Sequence, residues 1–169
     1  MRKVRLMKNL SVLLCAGPAI LLTACATCPQ LPAVGPSPIS SGYSESGMGT
    51  LVVYSAWSCF DTCLTSDHSG YTVYSEDGKR IKYVPNSIEG DWTVEPPTRV
   101  SLPPGAYRIK AEGGQYGWVN VPVVINGGET TPVYLDGERH SIDSLASWDN
   151  SVCLPDGQVV GWAANPGGN

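Results

Sequence analysis

Through the middle and second half of the chain, apolar and polar positions exchange every second residue. That is the period of a strand with one buried face. In Trp118–Ile125 the residues Val119, Val121, Val123 and Ile125 make one apolar stripe, and Trp118, Asn120 and Pro122 share the opposite face. Thr98–Leu102 sets Val100 and Leu102 against Arg99 and Ser101. Tyr107, Ile109 and Ala111 point inward between the outward Arg108 and Lys110, and Thr130–Leu135 turns Val133 and Leu135 inward. Thr50–Trp57 is apolar on both faces, which predicts a central strand. Tyr71–Ser75 and Arg80–Val84 flank Glu76-Asp77-Gly78, a strong hairpin signal. Pro103-Pro104-Gly105 and Asn126-Gly127-Gly128 are tight turns. Pro122 lacks an amide donor, which predicts that its strand lies at a sheet edge. Seven strands with short turns predict an all-β antiparallel sandwich. About 85 residues suffice for one core, though a domain this small gains from extra staples. Val152–Ala163 adds a C-terminal hairpin around Pro155-Asp156-Gly157, and 165–169 reads as a frayed end.

The N-terminus follows a different rule. Met1–Asn9 carries Arg2, Lys3, Arg5 and Lys8 with no acid, and Leu10–Leu22 is apolar. The apolar run is shorter than the roughly 20 residues that span a bilayer, so it reads as a signal peptide. Leu22-Thr23-Ala24-Cys25 resembles the bacterial lipobox. That resemblance implies a diacylglyceryl group on the Cys25 thiol and cleavage just before it; the alternative is ordinary cleavage with Cys25 in a disulfide. Residue 26 is Ala rather than Asp. By resemblance to enterobacterial lipoproteins, this favours sorting to the outer membrane in a cell with two membranes. Each buried methylene adds about 0.8 kcal/mol, so two or three acyl chains anchor firmly where one does not. Pro29, Pro32, Pro36 and Pro38, then Ser and Gly, give residues 26–48 no apolar periodicity, and they read as a tether. The expected organisation is signal peptide 1–24, lipidated tether 25–48, sandwich 49–137 and C-terminal extension 138–169.

Residues 98–135 (TRVSLPPGAYRIKAEGGQYGWVNVPVVINGGETTPVYL) resemble the carboxypeptidase regulatory-like domain, a transthyretin-type sandwich. The shared feature is a strand, a Leu-Pro-Pro-Gly-x-Tyr turn into the next strand, then a further strand and a Gly-containing turn leading to Thr-Thr-x-Val. Tyr71–Gly78 matches the family's earlier hairpin, and the match covers about half the chain. The resemblance implies a non-catalytic module for stability, adhesion or presentation. It implies no peptidase activity, because no His-x-x-Glu motif is present.

Charge and side-chain chemistry narrow the function. The full chain carries a formal −4. Without the four basic residues of the signal, 7 basic residues face 15 acidic ones, a net of −8. Nucleic acid is a poor partner for that balance, since binding phosphates requires clustered Lys and Arg. Apart from Cys15 and Cys25, the cysteines are Cys28, Cys59, Cys63 and Cys153. Export favours disulfides, and four cysteines allow three pairings. A local Cys59–Cys63 bridge would leave Cys28 for Cys153. The competing reading, a metal on Cys59, Cys63 and His68, offers only one close Cys pair where structural zinc often uses two. The three-residue Cys spacing also departs from the two-residue spacing of redox motifs. His140, Ser141, Asp143 and Ser144 adjoin in a polar stretch, but no nucleophile elbow is present. Asp67, Glu76 and Asp77 read as solvated turn acids. No cofactor or metal is expected.

The aromatics carry the remaining alternative. Trp118 and Tyr134 both lie opposite apolar stripes, and exposed rings on a sheet stack on sugars or anchor proteins. Unless the C-terminal hairpin with Trp162 covers them, they form a binding surface. The expected protein is a non-enzymatic, membrane-tethered envelope sandwich that serves in structure or interaction. The alternative is a glycan- or peptidoglycan-binding module using Trp118 and Tyr134.

Overall fold

The alternating stripes close into two sheets packed face to face in the computed structural model. It describes residues 30–38, 47–59, 66–86, 96–137 and 150–164, with Ser58, Cys59, Ser66 and Asp67 as backbone only. Twelve strands lie among the described residues. They are β1 (Val34–Gly35), β2 (Gly49–Tyr54), β3 (Trp57–Cys59), β4 (Ser66–His68), β5 (Tyr71–Ser75), β6 (Arg80–Val84), β7 (Arg99–Leu102), β8 (Gly105–Glu112), β9 (Trp118–Ile125), β10 (Thr130–Tyr134), β11 (Ser151–Cys153) and β12 (Val159–Ala163). A 3₁₀ turn, η1 (Gly114–Tyr116), joins β8 to β9. The larger sheet has seven strands in the order β11-β12-β1-β9-β8-β5-β6, and the smaller has the order β10-β2-β7. β3 and β4 form a separate ribbon.

The core is the predicted one. Ile109, Ala111, Val121, Val123 and Ile125 of the larger sheet share a buried cluster with Leu51, Val53, Val100, Leu102, Val133 and Leu135 of the smaller side. Full burial of one such aliphatic side chain contributes about 1.5–3 kcal/mol, so this interleaved layer holds the sheets together. The β5–β6 turn also forms as read. Gly78 has φ +86°, a region glycine enters without Cβ strain. The Ser75 amide donates to the Lys79 carbonyl at 2.9 Å.

Three expectations are corrected. The tether reading fails for residues 30–38. Val34 is fully buried, and β1 inserts between β12 and β9, antiparallel to the first and parallel to the second. The Ser37 amide then reaches the Thr130 carbonyl of β10 at 3.0 Å, so this segment ties the two sheets along one side. Pro122 is therefore not on an edge strand. β9 lies between β8 and β1, but β1 is two residues long and registers with Val123, not Pro122. The missing proline amide faces no required partner there. The sheets are also not purely antiparallel, because β1–β9 and β10–β2 are parallel pairs.

The predicted strand Thr50–Trp57 breaks after Tyr54. Ser55 is fully buried and turns its hydroxyl to the Ser69 carbonyl at 2.5 Å, while the Ala56 amide leaves the ladder for the Glu112 carbonyl. Asn86 anchors this corner. It holds φ 62°, a conformation Asn tolerates better than most side chains. Its amide nitrogen donates to the Val53 carbonyl and the Ser55 hydroxyl, both at 2.9 Å. Its oxygen accepts from the Thr98 amide at 3.0 Å. A buried side chain with this many partners replaces a local turn by a network that joins three segments.

Candidate functional site

The outer face of the larger sheet is built by register. β8 and β9 pair antiparallel with Arg108 opposite Pro122, Lys110 opposite Asn120, and Glu112 opposite Trp118. β5 adds Thr72 beside Lys110 and Tyr74 beside Arg108. β6 adds Tyr83 beside Thr72 and Arg80 beside Tyr74. All but Arg80 alternate with the core stripe and project from one side of the sheet; the β5–β6 register shifts at Tyr74, and Arg80 reaches this side with its guanidinium 6.0 Å from the Tyr83 ring centroid.

Trp118 stands out on this face. It is 60% exposed, and the Lys110 ammonium lies 5.6 Å from its ring centroid, within cation–π range. The expected cover by the C-terminal hairpin does not occur. β11 and β12 extend the sheet through β1 and leave Trp118 open. A cleft of about 900 Å³ opens beside it. Arg108, Tyr116, Trp118, Asn120 and Pro122 line it together with Gln30–Pro32 and Cys153–Pro155. The two groups are tied together. Gln115 donates to the Asp156 carboxylate at 2.8 Å, and the Asp156 amide donates to the Tyr116 hydroxyl at 3.1 Å. The Asp156 carboxyl is held below the usual carboxylate range, first by the Gln158 amide and then by Tyr116.

Tyr134 belongs elsewhere. Its strand is in the smaller sheet, so it forms no stripe with Trp118. It stacks on Tyr54 at 4.8 Å and meets the edge of Trp162 at 6.4 Å. Tyr54 in turn meets His68 at 5.8 Å, and His68 stacks on Trp57 at 4.1 Å. Five rings thus run in one chain from Trp162 of β12, across Tyr134 and Tyr54 of the smaller sheet, to His68 and Trp57 of the β3–β4 ribbon. Burial pushes the Tyr134 hydroxyl up to about 12 and raises that of Tyr54. The C-terminal hairpin covers Tyr134, as one of the sequence readings allowed, but not Trp118.

His68 is buried, and its Nδ1 donates to the Ser55 carbonyl at 2.6 Å. This fixes the ring in the wall of the aromatic chain. Among the described residues no three metal-ligating side chains converge. The Cys153 thiol is half-buried, lies 3.6 Å from the Ser151 hydroxyl and has no disulfide partner among the described residues. Cys25, Cys28, Cys63, His140, Ser141, Asp143 and Ser144 lie outside the described residues, as does the Cys59 side chain.

Sequence reasoning found Trp118 and placed Arg108 and Lys110 outward, but it did not bring them together with Tyr83, Tyr74, Arg80 or Asn120. The signal was the alternation of β8 and β9 joined by a five-residue connection. What it lacked was the register, which sets Lys110 opposite Asn120 rather than one residue away. No protein-family model, curated protein or solved structure matches this chain.

Proposed function

We propose that this protein is a non-enzymatic lipoprotein of the cell envelope, anchored through Cys25, whose sandwich binds a glycan on the outer face of its larger sheet. One observation carries the binding reading: Trp118 stands exposed on a sheet face and lines a cleft with Arg108 and Asn120. An exposed indole otherwise costs solubility, and aromatic faces stack on the apolar faces of sugar rings. Arg108 and Asn120 bring the polar groups that orient a ligand in such a site. The anchor reading rests on Leu22-Thr23-Ala24-Cys25 after an apolar run. An anchored sandwich would hold this face toward the polymers of the envelope.

The test is co-sedimentation of the detergent-solubilised full-length chain with purified envelope polysaccharide and with peptidoglycan. Wild type is expected to sediment with one of them, and Trp118→Ala to remain in the supernatant with unchanged circular dichroism. Equal sedimentation of both proteins, or of neither, refutes the reading.

A further inference from the structure

Among the described residues most of the basic side chains gather on the proposed binding face. After residue 25 there are 7 basic and 15 acidic residues. Of the seven, Arg80, Arg108 and Lys110 project from the outer face of the larger sheet, and Lys79 and Lys82 lie on the turn and strand at its β6 edge. All five are exposed. Of the acids among the described residues, Glu112 shares this face as the cross-strand neighbour of Trp118 at the end of the β8–β9 pair, and the others near it sit at its margins. Asp77 is hydrogen-bonded to Ser75 in the hairpin turn beside Glu76. Asp156 is bound into its own turn. An acidic domain that gathers its cations on one aromatic face creates a local field opposite in sign to its net charge.

We infer that the ligand of this face is an acidic glycan, a polymer of carboxylate-bearing sugars. The inference rests on the glycan-site reading and adds the charge class of the sugar. Adjacent strands lie about 4.8 Å apart and alternate residues about 6.8 Å apart along a strand. That places the cationic positions of Arg108 and Lys110 about 7 Å apart, and those of Arg80 and Arg108 about 10 Å apart. Between and beside them stand the rings of Tyr74, Tyr83 and Trp118; Tyr83 is 51% exposed, with the Arg80 guanidinium 6.0 Å from its ring centroid. The pattern alternates a stacking surface with a cation, as a chain of sugar rings with pendant carboxylates requires. Arg108 has the planar fork that matches a carboxylate with two parallel hydrogen bonds.

Shape separates this ligand from an anionic membrane. An anionic membrane surface would meet a flat face. Here Trp118 and Arg108 line a concave cleft of about 900 Å³, the form of a site that encloses part of a ligand.

The experiment compares two probes with one backbone: polygalacturonate and the same polymer fully methyl-esterified. Binding to the detergent-solubilised full-length chain is measured by affinity electrophoresis. Wild type is expected to bind the polyuronate about ten-fold or more tightly than the ester, as charge-assisted contacts are lost. That preference should shrink as salt rises from about 0.02 to about 0.2 M, where screening shortens to roughly 7–10 Å. Arg108→Gln with Lys110→Gln should bring the polyuronate affinity down to that of the ester without altering the thermal midpoint by more than a few degrees. Trp118→Ala should weaken both polymers. Equal binding of the two polymers by wild type overturns the charge inference while the glycan site stands. Binding of neither polymer, or binding indifferent to Trp118→Ala, overturns both. Capture of the Cys25→Ser chain by vesicles rich in anionic lipid, with no polyuronate binding, reassigns the face to a membrane and overturns the inference.

Discussion

Val34→Ala separates a folded segment from a tether. Val34 lies in a stretch whose prolines and lack of periodicity predict an extended linker, yet its side chain is fully buried against the core. Its neighbours are Val123 on β9 and Ala163 on β12. Gly161 of β12 also packs against it, so close that a β-carbon there would meet one Val34 methyl at 2.6 Å. Truncation to Ala removes two buried carbons at about 0.8 kcal/mol each, roughly 1.6 kcal/mol. An unfilled cavity between two strands raises that to about 2–3 kcal/mol. Gln30→Ala in the same segment is the control, since Gln30 is exposed and surface changes fall within about 0.5 kcal/mol. Urea unfolding of the full-length chain in detergent, followed by far-ultraviolet circular dichroism, reads both. The midpoint should fall for Val34→Ala with the slope unchanged, which marks a change in stability rather than in exposed surface. A shift for Val34→Ala no larger than for Gln30→Ala refutes the placement of β1 in the sheet, and with it the part of the cleft lined by Gln30–Pro32.

The remaining predictions test the corner network, the core and the anchor. Asn86→Ala removes the donor to the Val53 carbonyl and Ser55 hydroxyl and the acceptor of the Thr98 amide, and it puts Ala into a left-handed backbone that Asn tolerates better, so it should cost on the order of 3 kcal/mol by urea unfolding; a loss below about 1 kcal/mol contradicts the network. Tyr71 is fully buried and its hydroxyl has no hydrogen-bond partner among the described residues, so Tyr71→Phe should stabilise by on the order of 1 kcal/mol; destabilisation of that size refutes it. Burial raises the hydroxyl pKa of Tyr134 from 10.0 to about 12 and raises Tyr71 further. A folded-state value above the unfolded one gives stability that is present below pH 10 and lost as pH rises from there through about 12. Phenolate absorbance should lag that of the urea-unfolded chain, and coincident titrations contradict the burial. Cys25→Ser should release the protein from membranes and block incorporation of a fatty-acid analogue; unchanged retention and labelling reject the anchor.

The faces of β7, β8 and β9 were legible because each strand alternates apolar and polar positions. Val121 and Val123 fall inside and Trp118 outside whatever the partner strands are. The hairpins at Gly78 and at Pro155-Asp156-Gly157 were legible because their turn residues have few other conformations. What was hidden depends on contacts between distant segments. Two buried residues, Val34 and Gly35, set in a proline-rich stretch leave no period to detect, and only the gap between β9 and β12 gives them a place. Asn86 carries no local signal, because its role is fixed by Val53, Ser55 and Thr98, all remote in sequence. The pairing of Trp118 with Tyr134 failed for a related reason. Alternation states which side of its own strand a ring occupies, but not which sheet the strand joins. The cationic side of the binding face was present in the sequence as outward Arg108 and Lys110, and it became a site only when the register brought Tyr83, Arg80 and Asn120 alongside.

The central claim is that ligand is held on the outer face of the larger sheet at Trp118. The chain has five tryptophans, and each indole N–H gives its own nuclear magnetic resonance signal. Titration of the isotope-labelled full-length chain with short polyuronate oligomers, with the signals assigned by single Trp→Phe substitutions, tests the claim directly. The Trp118 indole should shift progressively and saturate together with the backbone amides of Lys110 and Asn120, while the Trp57 and Trp162 signals, at the two ends of the ring chain that crosses the smaller sheet, stay in place. Movement of Trp57 or Trp162 with Trp118 unmoved would contradict it and place the binding surface at the ring chain.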